Sequence, residues 1–182
     1  MWPARSSYCP LCAAPLAERE VGGRVRKACT TCRFVLYLGP AGAAAAVILN
    51  DEREVLLVRR SIPPFEGRWA LPAGYQEADE SPEQAIVREV GEETGLEVLV
   101  TGLLELQHVP DDPRKPANVA VYLCRPAPGS GEARAGDDAA EAAWFPLTDL
   151  PEDLGFPNNR RILEALAEGG GYPLPLPGSR LP

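Results

Sequence analysis

Three glutamates in the middle of the chain have the side-chain type and the spacing of a metal site. Glu89, Glu92 and Glu93 stand at positions i, i+3 and i+4, so on a helix their carboxylates project from one face. Like charges at this spacing destabilise an isolated helix by roughly 0.2–0.5 kcal/mol per pair. Carboxylate oxygens without histidine or thiolate suit Mg²⁺ or Mn²⁺. The spacing therefore predicts a divalent-cation site, against the alternative of a solvated acidic face.

The neighbouring residues predict the helix that carries these glutamates. Ser81 is an N-cap residue, Pro82 suits the first helical position, and Gln84 completes a capping box. Gly95 is expected to end the helix just after its last turn. Arg88 lies beside the glutamates and is expected to orient a carboxylate as an ion-pair partner. The flank expected to be buried consists of Ile86, Val87 and Val90.

The segment from Gly74 to Leu96 resembles the signature of the Nudix hydrolases, G-x5-E-x7-R-E-U-x-E-E-x-G-U, where U is aliphatic. The nine constrained positions are filled by Gly74, Glu80, Arg88, Glu89, Val90, Glu92, Glu93, Gly95 and Leu96. Average residue usage gives a chance match of about 10⁻⁹ per starting point, which disfavours an ordinary acidic helix. The resemblance implies a mixed sheet between helices and metal-assisted cleavage of a phosphoanhydride.

The resemblance also implies roles for single residues. The implied metal ligands are Glu89, Glu92 and Glu93, with the backbone carbonyl of Ala73 or Gly74. Glycine at position 74 would allow a close backbone approach. Glu80 is expected to support the loop or an outer shell of the metal. The general base in such a family is either a signature glutamate, here Glu92 or Glu93, or a residue on a distant loop.

Residues outside the signature supply further candidates. Glu141 follows an acidic, glycine-rich stretch and is the distant candidate for the base, with a solvated loop residue as the alternative. Aromatic and arginine side chains could contact a base or nucleoside by stacking and cation–π interaction. These candidates are Arg59, Arg60, Phe65, Trp69 and Tyr75. For the aromatic residues the alternative is a place in the hydrophobic core.

Four of the five cysteines form two C-x2-C pairs that are separated by 16 residues: Cys9 and Cys12, then Cys29 and Cys32. This spacing predicts a closed, structural zinc site with four thiolates. Gly22-Gly23 lies between charged, strand-like segments and predicts a hairpin. Two disulfides are the alternative, and a catalytic C-x-x-C would not need a second pair.

Composition limits the other functions. The 182 residues carry a net charge of −8, which argues against binding to nucleic-acid backbones or anionic membranes. The longest apolar run, from Gly42 to Leu49, is too short to cross a bilayer, and no secretory signal is recognised, so the cytoplasm is expected. The single histidine, His108, lies in a strand-like segment and is expected to be structural.

The predicted organisation is a zinc ribbon over 1–40, a Nudix domain over 41–168 and a Pro-rich tail over 169–182. The predicted strands cover 43–49, 54–60, 69–71, 97–109, 118–125 and 142–145, and the first two are expected to form a hairpin. A second helix is predicted over 160–167 with its cap near Asn158. The stretch 129–138 is expected to be a mobile loop. The fold class is α/β, a Nudix-like α/β/α sandwich with a mixed sheet, preceded by a small β zinc ribbon.

A ribbon in front of a Nudix domain resembles two groups of enzymes. NADH pyrophosphatases carry an S-Q-P-W-P-F-P-x-S run after the signature, where this chain has LLELQHVPDDPRKPANVAV. ADP-ribose and FAD pyrophosphatases are similar in the segment RRSIPPFEGRWALPAGYQEADES and in the ribbon spacing. The resemblance to this second group implies a nucleotide-derived small-molecule substrate, such as ADP-ribose or FAD, that is cleaved to two monophosphates. It also implies a homodimer. A non-catalytic nucleotide sensor or ribbon-based binding module is the alternative, against which the intact glutamates argue.

Overall fold

The structure of the chain is a computed structural model that describes residues 6–110, 115–136 and 138–169. These residues form two compact units, divided between Pro40 and Ala41. The first unit contains residues 6–40, 110 and 115–116, and the second contains the rest. Except for Gly169, the predicted Pro-rich tail lies outside the described residues.

The first unit contains a three-stranded antiparallel sheet in the order β1-β2-β3. Its strands are β1 Leu16–Val21, β2 Arg24–Cys29 and β3 Val35–Leu36. Gly22 and Gly23 join β1 to β2 with φ angles of 59° and 71°. Two positive φ angles give the tight turn that matches the twist of paired strands. The predicted hairpin is therefore confirmed.

In the second unit two sheets and two helices are described. Its elements are β4 Ala41–Ile48, β5 Glu54–Arg60, β6 Trp69–Ala70, β7 Ala73–Tyr75, α1 Pro82–Thr94, β8 Val98–Val109, β9 Ala117–Pro126, β10 Ala139–Pro146 and α2 Pro157–Ala167. One sheet has the order β7-β4-β9-β8, with β4 and β9 parallel and the other pairs antiparallel. The other sheet is antiparallel and has the order β10-β5-β6. The predicted mixed sheet is confirmed.

Strand β4 contributes to two buried clusters, because successive side chains of a strand point to opposite faces. Ala46 belongs to the cluster that contains Ile86 of α1. Val47 belongs to the cluster that contains Leu163 of α2. Helices therefore cover both faces of the mixed sheet, and the predicted α/β/α arrangement is confirmed.

The predicted hairpin between β4 and β5 is wrong. The two edges of β4 are already hydrogen-bonded to β7 and β9, so neither is available to β5. Asn50 turns the chain by exchanging side-chain hydrogen bonds of 2.8 Å with the Glu54 N–H and carboxylate. A single bridge between Leu49 and Val55 follows, and β5 then enters the second sheet.

Helix α1 has the predicted ends but a shifted buried face. Ser81 and Gln84 form the capping box, and Gly95 ends the helix with a φ of 68°. Val87 was predicted to be buried and is 40% exposed. At 100° per residue the buried arc ends at Thr94, about 140° from Glu89, while Val87 lies at about 160°.

Helix α2 begins at Pro157, three residues before the predicted start at residue 160. Its N-cap is Phe156, which makes no side-chain capping bond. The fixed φ of proline suits the first helical position and replaces the predicted side-chain cap. The Asn158 side chain instead donates to Gln107 Oε1 at 3.3 Å.

Cys124, the cysteine outside the two C-x2-C pairs, is 1% exposed. The single histidine has the structural environment predicted for it. His108 pairs with Asn118 across β8 and β9, and its Nδ1 lies 2.9 Å from the Asn118 amide oxygen. In the described part of the chain no helix is both long enough and apolar enough to cross a membrane.

Candidate active site

Arg88 connects the helical and loop parts of the signature. Its Nε and Nη2 donate to the two carboxylate oxygens of Glu80 at 3.1 and 2.6 Å. Its Nη1 donates to Glu89 Oε1 at 2.8 Å and to Glu92 Oε2 at 3.0 Å. Its Nη2 also donates to the Tyr75 carbonyl at 3.0 Å. The planar guanidinium allows this forked recognition, which lowers the pKa of Glu80 and raises the pKa of Arg88.

Glu89 and Glu93 lie where α1 meets β7. The Glu93 side chain is buried, and its Oε2 accepts a hydrogen bond of 3.1 Å from the Ala73 N–H. The Glu89 carboxylate lies against Gly74, where a Cβ would overlap it. Glycine is therefore required at position 74 for this close approach.

Burial disfavours the charged form of these two carboxylates. It raises the pKa of Glu93 to about 8, and the charges of Glu89 and Asp138 act in the same direction. The Ala73 N–H and the charge of Arg60 oppose this increase in the pKa of Glu93. Burial also raises the pKa of Glu89, against the opposing effect of Arg88. A cation placed here would favour the charged forms.

The three signature glutamates do not converge on one point. Among the described residues, only the four paired cysteines form a group of three or more potential ligands whose atoms lie close enough together to hold one ion, and the glutamates do not. Glu92 is turned towards Arg88, and its side chain is 45% exposed. Mg²⁺ is usually held by one or two carboxylates together with water and substrate phosphates, so a looser arrangement still suits it.

Glu141 lies on β10 and not on a loop as its prediction assumed. Its Oε1 accepts a hydrogen bond of 3.0 Å from Arg59 Nη1, and its side chain is 56% exposed. The pairing of β10 with β5 shifts register between Ala139 and Glu141. The predicted strand began only at residue 142, because the small and acidic residues before it carry no strand signal.

The five predicted substrate contacts have different environments. Trp69 is 8% exposed and packs edge-on against Phe145 at 4.8 Å, which matches the alternative of a core residue. Arg59 lies over the Trp69 ring at 5.7 Å. Tyr75 is partly buried, and its carbonyl accepts from Arg88.

Phe65 and Arg60 meet at a second aromatic residue. The Phe65 ring is 4.7 Å from the Phe156 ring, and Phe65 is 39% exposed. Arg60 lies over the same Phe156 ring at 5.6 Å, and its Nε donates to the Pro64 carbonyl at 2.7 Å. Phe156 was not among the candidates, because it stands far from the signature in sequence.

The stretch predicted as a mobile loop contacts the signature helix. Arg134 and Gly136 donate backbone hydrogen bonds to the carbonyls of Thr94 and Glu93 at 2.9 and 3.0 Å. The charge of Asp138 contributes to the raised pKa of Glu93. These three residues were missed. A glycine in an acidic run carries no signal for such a contact.

The four paired cysteines lie together in the first unit. Their Sγ atoms are all within 4.8 Å of one another. The shortest pairs are Cys12 to Cys29 at 3.4 Å and Cys9 to Cys32 at 3.6 Å. Four sulfurs about 2.3 Å from one Zn²⁺ would be about 3.8 Å apart, whereas a disulfide measures about 2.05 Å. The cluster is compatible with zinc.

Backbone N–H groups point at these sulfurs. Those of Thr31 and Cys32 donate to Cys29 Sγ at 3.3 and 3.2 Å, and that of Leu11 donates to Cys9 Sγ at 3.4 Å. The N–H groups of Cys32 and Thr31 lower the pKa of the Cys29 thiol to about 6, whereas hydrogen bonding to Cys29 raises the pKa of Cys12 and Cys32. Metal ions bind the thiolate, so these two donors favour the form of Cys29 that a metal requires.

Comparison with known proteins agrees with this arrangement. The chain matches the model of the NUDIX domain over residues 39–166. It is 42% identical over 131 residues to an ADP-ribose pyrophosphatase of Methanocaldococcus jannaschii, covering 71% of this chain and 75% of that protein. It is 35% identical over 173 residues to the human 8-oxo-dGDP phosphatase NUDT18, covering 91% of this chain and 48% of the human protein.

Solved structures show the same fold. A NUDIX hydrolase from Nitrosomonas europaea superposes with a TM-score of 0.79 at 23% identity, over 90% of this chain and 94% of that one. The NUDIX domain of NrtR from Shewanella oneidensis, solved with ADP ribose, superposes with a TM-score of 0.62 at 25% identity, over 73% of this chain and 90% of that one. The chain therefore belongs to the Nudix family of hydrolases.

Proposed function

We propose that this protein hydrolyses the phosphoanhydride of a nucleoside diphosphate linked to a second group, of the ADP-ribose or FAD type, and releases two monophosphates. One observation supports this most strongly: Glu93 is buried against the Ala73 N–H while Glu89 lies against Gly74. Burial disfavours the charged forms of both carboxylates, a cost that a bound divalent cation would offset.

Glu89, Glu92 and Glu93, with the Ala73 or Gly74 carbonyl, would hold Mg²⁺ or Mn²⁺. Such ions neutralise phosphate charge and make bound water a better nucleophile. The chain itself supplies the positioning. Arg88 fixes Glu89 and Glu92, and Ala73 fixes Glu93. Arg88 touches no reacting atom in this proposal and acts through the carboxylates that it orients.

The general base has two candidates in this proposal. Glu92 is near the other carboxylates and is 45% exposed, so it can accept a proton from water. Glu141 forms an ion pair with Arg59, whose Nη1 lies 3.0 Å from Glu141 Oε1. Replacing Glu92 and Glu141 by glutamine, one at a time, distinguishes the two candidates, because replacement of the residue that accepts the proton should cause the larger loss of kcat.

The substrate class follows from the relatives. The M. jannaschii relative is called an ADP-ribose pyrophosphatase, and the match covers most of both chains. The human relative favours a second candidate, a modified nucleoside diphosphate such as 8-oxo-dGDP, because that match also covers most of the first unit. The chain spans about half of the human protein, so the activity of that protein is weaker support for a substrate of this chain.

A substrate panel tests the proposal. We expect Mg²⁺-dependent release of AMP from ADP-ribose or FAD, measured by chromatography beside NADH, 8-oxo-dGDP, dinucleoside polyphosphates and nucleoside triphosphates. Release of inorganic phosphate from 8-oxo-dGDP alone would favour the second candidate. Tight binding of these ligands without turnover would instead indicate a sensor and contradict the proposed hydrolysis.

The raised pKa of Glu93 predicts how pH affects the metal-free protein. The folded state holds a proton on Glu93 up to about pH 8, whereas an unfolded chain releases it near 4.5. This contribution to stability is present below about pH 4.5 and is lost as pH rises through about 8. Mn²⁺ binds the charged form, so the increase in Tm that it causes should be larger at about pH 8.5 than at about pH 6. Scanning calorimetry with and without Mn²⁺ measures this, and an equal increase at both values would contradict it.

The cysteine cluster is proposed as a structural zinc site. Purified protein should contain about one zinc per chain by elemental analysis, and Cys29→Ser should lose most of it because a closed site needs four ligands. Cys124→Ala is the control, since Cys124 lies in the second unit and should leave the zinc content unchanged. Protein that lacks zinc while its four clustered cysteines are oxidised would contradict the site.

A further inference from the structure

The loop between β9 and β10 is attached to the C-terminal end of α1 through its backbone. The Arg134 N–H donates to the Thr94 carbonyl at 2.9 Å, and the Gly136 N–H donates to the Glu93 carbonyl at 3.0 Å. The last four carbonyl groups of a helix have no N–H partner within the helix. The loop therefore serves as part of the cap of the helix that carries the signature glutamates.

The contact between this loop and the end of α1 leaves no room for a side chain at position 136. A Cβ there would overlap the Glu92 carbonyl oxygen, which is backbone and cannot rotate away as a side chain could. Gly131 lies earlier in the same loop, and a Cβ there would enter open space. Only one of these two glycines is needed for a close approach.

Beyond the attachment the loop leads directly into β10. The Ala139 N–H donates to the Gly136 carbonyl at 2.8 Å, and the Ser61 N–H donates to the Asp138 carbonyl at 2.9 Å. The register shift between Ala139 and Glu141 follows at once. Bulges of this kind redirect the side chains beside them. The loop thus connects the turn of α1 that contains Glu92 and Glu93 with the strand that contains Glu141.

We propose that this contact, made by the N–H groups of Arg134 and Gly136, is a positioning element for the hydrolysis, with Gly136 as its essential residue. The proposal rests on the proposed function. Glu93 is held twice, by Ala73 at its carboxylate and by Gly136 at its carbonyl. Gly136 has no side chain to touch substrate, so it acts only by fixing the turn that contains Glu92 and Glu93.

Gly136→Ala tests the proposal, with Gly131→Ala as the matched control. The new methyl group must displace either the loop or the last turn of α1, and displacements of about 1 Å in an active site cost about 10²-fold in rate. We expect Gly136→Ala to lower kcat by about 10-fold to 100-fold, with a much smaller change in KM. The dissociation constant of Mn²⁺ alone, measured by calorimetry, should rise by about tenfold or more. Gly131→Ala should match the wild type in all three.

Equal kcat and Mn²⁺ affinity in the two variants would overturn the proposal. A second measurement covers the case in which Gly136→Ala does not fold. In the wild-type protein the amides of Arg134 and Gly136 should exchange with deuterium as slowly as those of the last turn of α1, and exchange at the rate of an unstructured peptide would overturn the proposal. If the wild type hydrolyses nothing in the panel while Gly136→Ala still weakens Mn²⁺ binding, the proposed hydrolysis fails and the positioning of the turn stands.

Discussion

Glu93→Gln should lower kcat by about 10²–10³-fold, the typical loss when one preorganised electrostatic group is removed from an active site. Glutamine has nearly the same shape and can still accept the hydrogen bond from Ala73, so the fold of the site should persist. It cannot carry the negative charge that a divalent cation requires. Steady-state hydrolysis of the best substrate of the panel, with saturating Mg²⁺, measures the loss.

The same variant should have the opposite effect on stability. The wild-type protein must bury a charge at Glu93 when pH rises above about 8, because burial has raised its pKa to about 8. Glutamine stays neutral at every pH. Metal-free Glu93→Gln should therefore equal the wild type in Tm below about pH 4.5, exceed it increasingly as pH rises, and reach its full excess at about pH 8. A loss of activity with retained or increased Tm excludes unfolding as its cause.

Glu97→Gln is the matched control for this experiment. Glu97 is exposed and lies just beyond the end of α1, so its replacement should change neither kcat nor the pH dependence of Tm. Turnover by Glu93→Gln within a factor of about three of this control would remove Glu93 from the metal site, since the loss expected of such a group is at least 10²-fold.

Sequence signals that act within a few residues were sufficient for the helix and its ends. Ser81, Gln84 and Gly95 act within one turn of the helix ends, and each has the predicted role. The four clustered cysteines were likewise predictable, because each C-x2-C pair is local and the hairpin turn at Gly22-Gly23 brings the two pairs together. Local geometry makes such features predictable without knowledge of the rest of the chain.

Features that depend on distant partners were not predictable in this way. The turn at Asn50 is local, but whether β5 pairs with β4 depends on β7 and β9, which already occupy both edges. Gly136 contacts Glu93 across more than forty residues of chain, and nothing near it in sequence indicates the contact. Trp69 was a plausible stacking residue until its packing against Phe145 was known.

Arg88→Ala should reduce both stability and activity, because Arg88 joins the carboxylates of α1 to that of Glu80 in the loop before it. Glu80 and Glu89 have side chains only 14% and 15% exposed, and Arg88 is the cation that pairs with both. Removing one partner leaves these carboxylates poorly solvated and unpaired. We expect a decrease in Tm of roughly 4–8 °C, and a decrease in kcat as Glu89 loses its orientation. Arg125→Ala, at an exposed position of β9, should leave both unchanged.

Two further substitutions distinguish the loss of the Arg88 ion pairs from the loss of the contacts made by the rest of its side chain. Arg88→Lys keeps the charge but not the fork that joins Glu80 at both oxygens, so it should recover part of the Tm and little of kcat. Glu80→Gln should lower Tm in the wild type, yet raise it in the Arg88→Ala background, where it removes an unpaired carboxylate. Calorimetry on this double-mutant cycle measures the coupling. Additive changes in Tm would show that the ion pair between Arg88 and Glu80 contributes nothing measurable to stability.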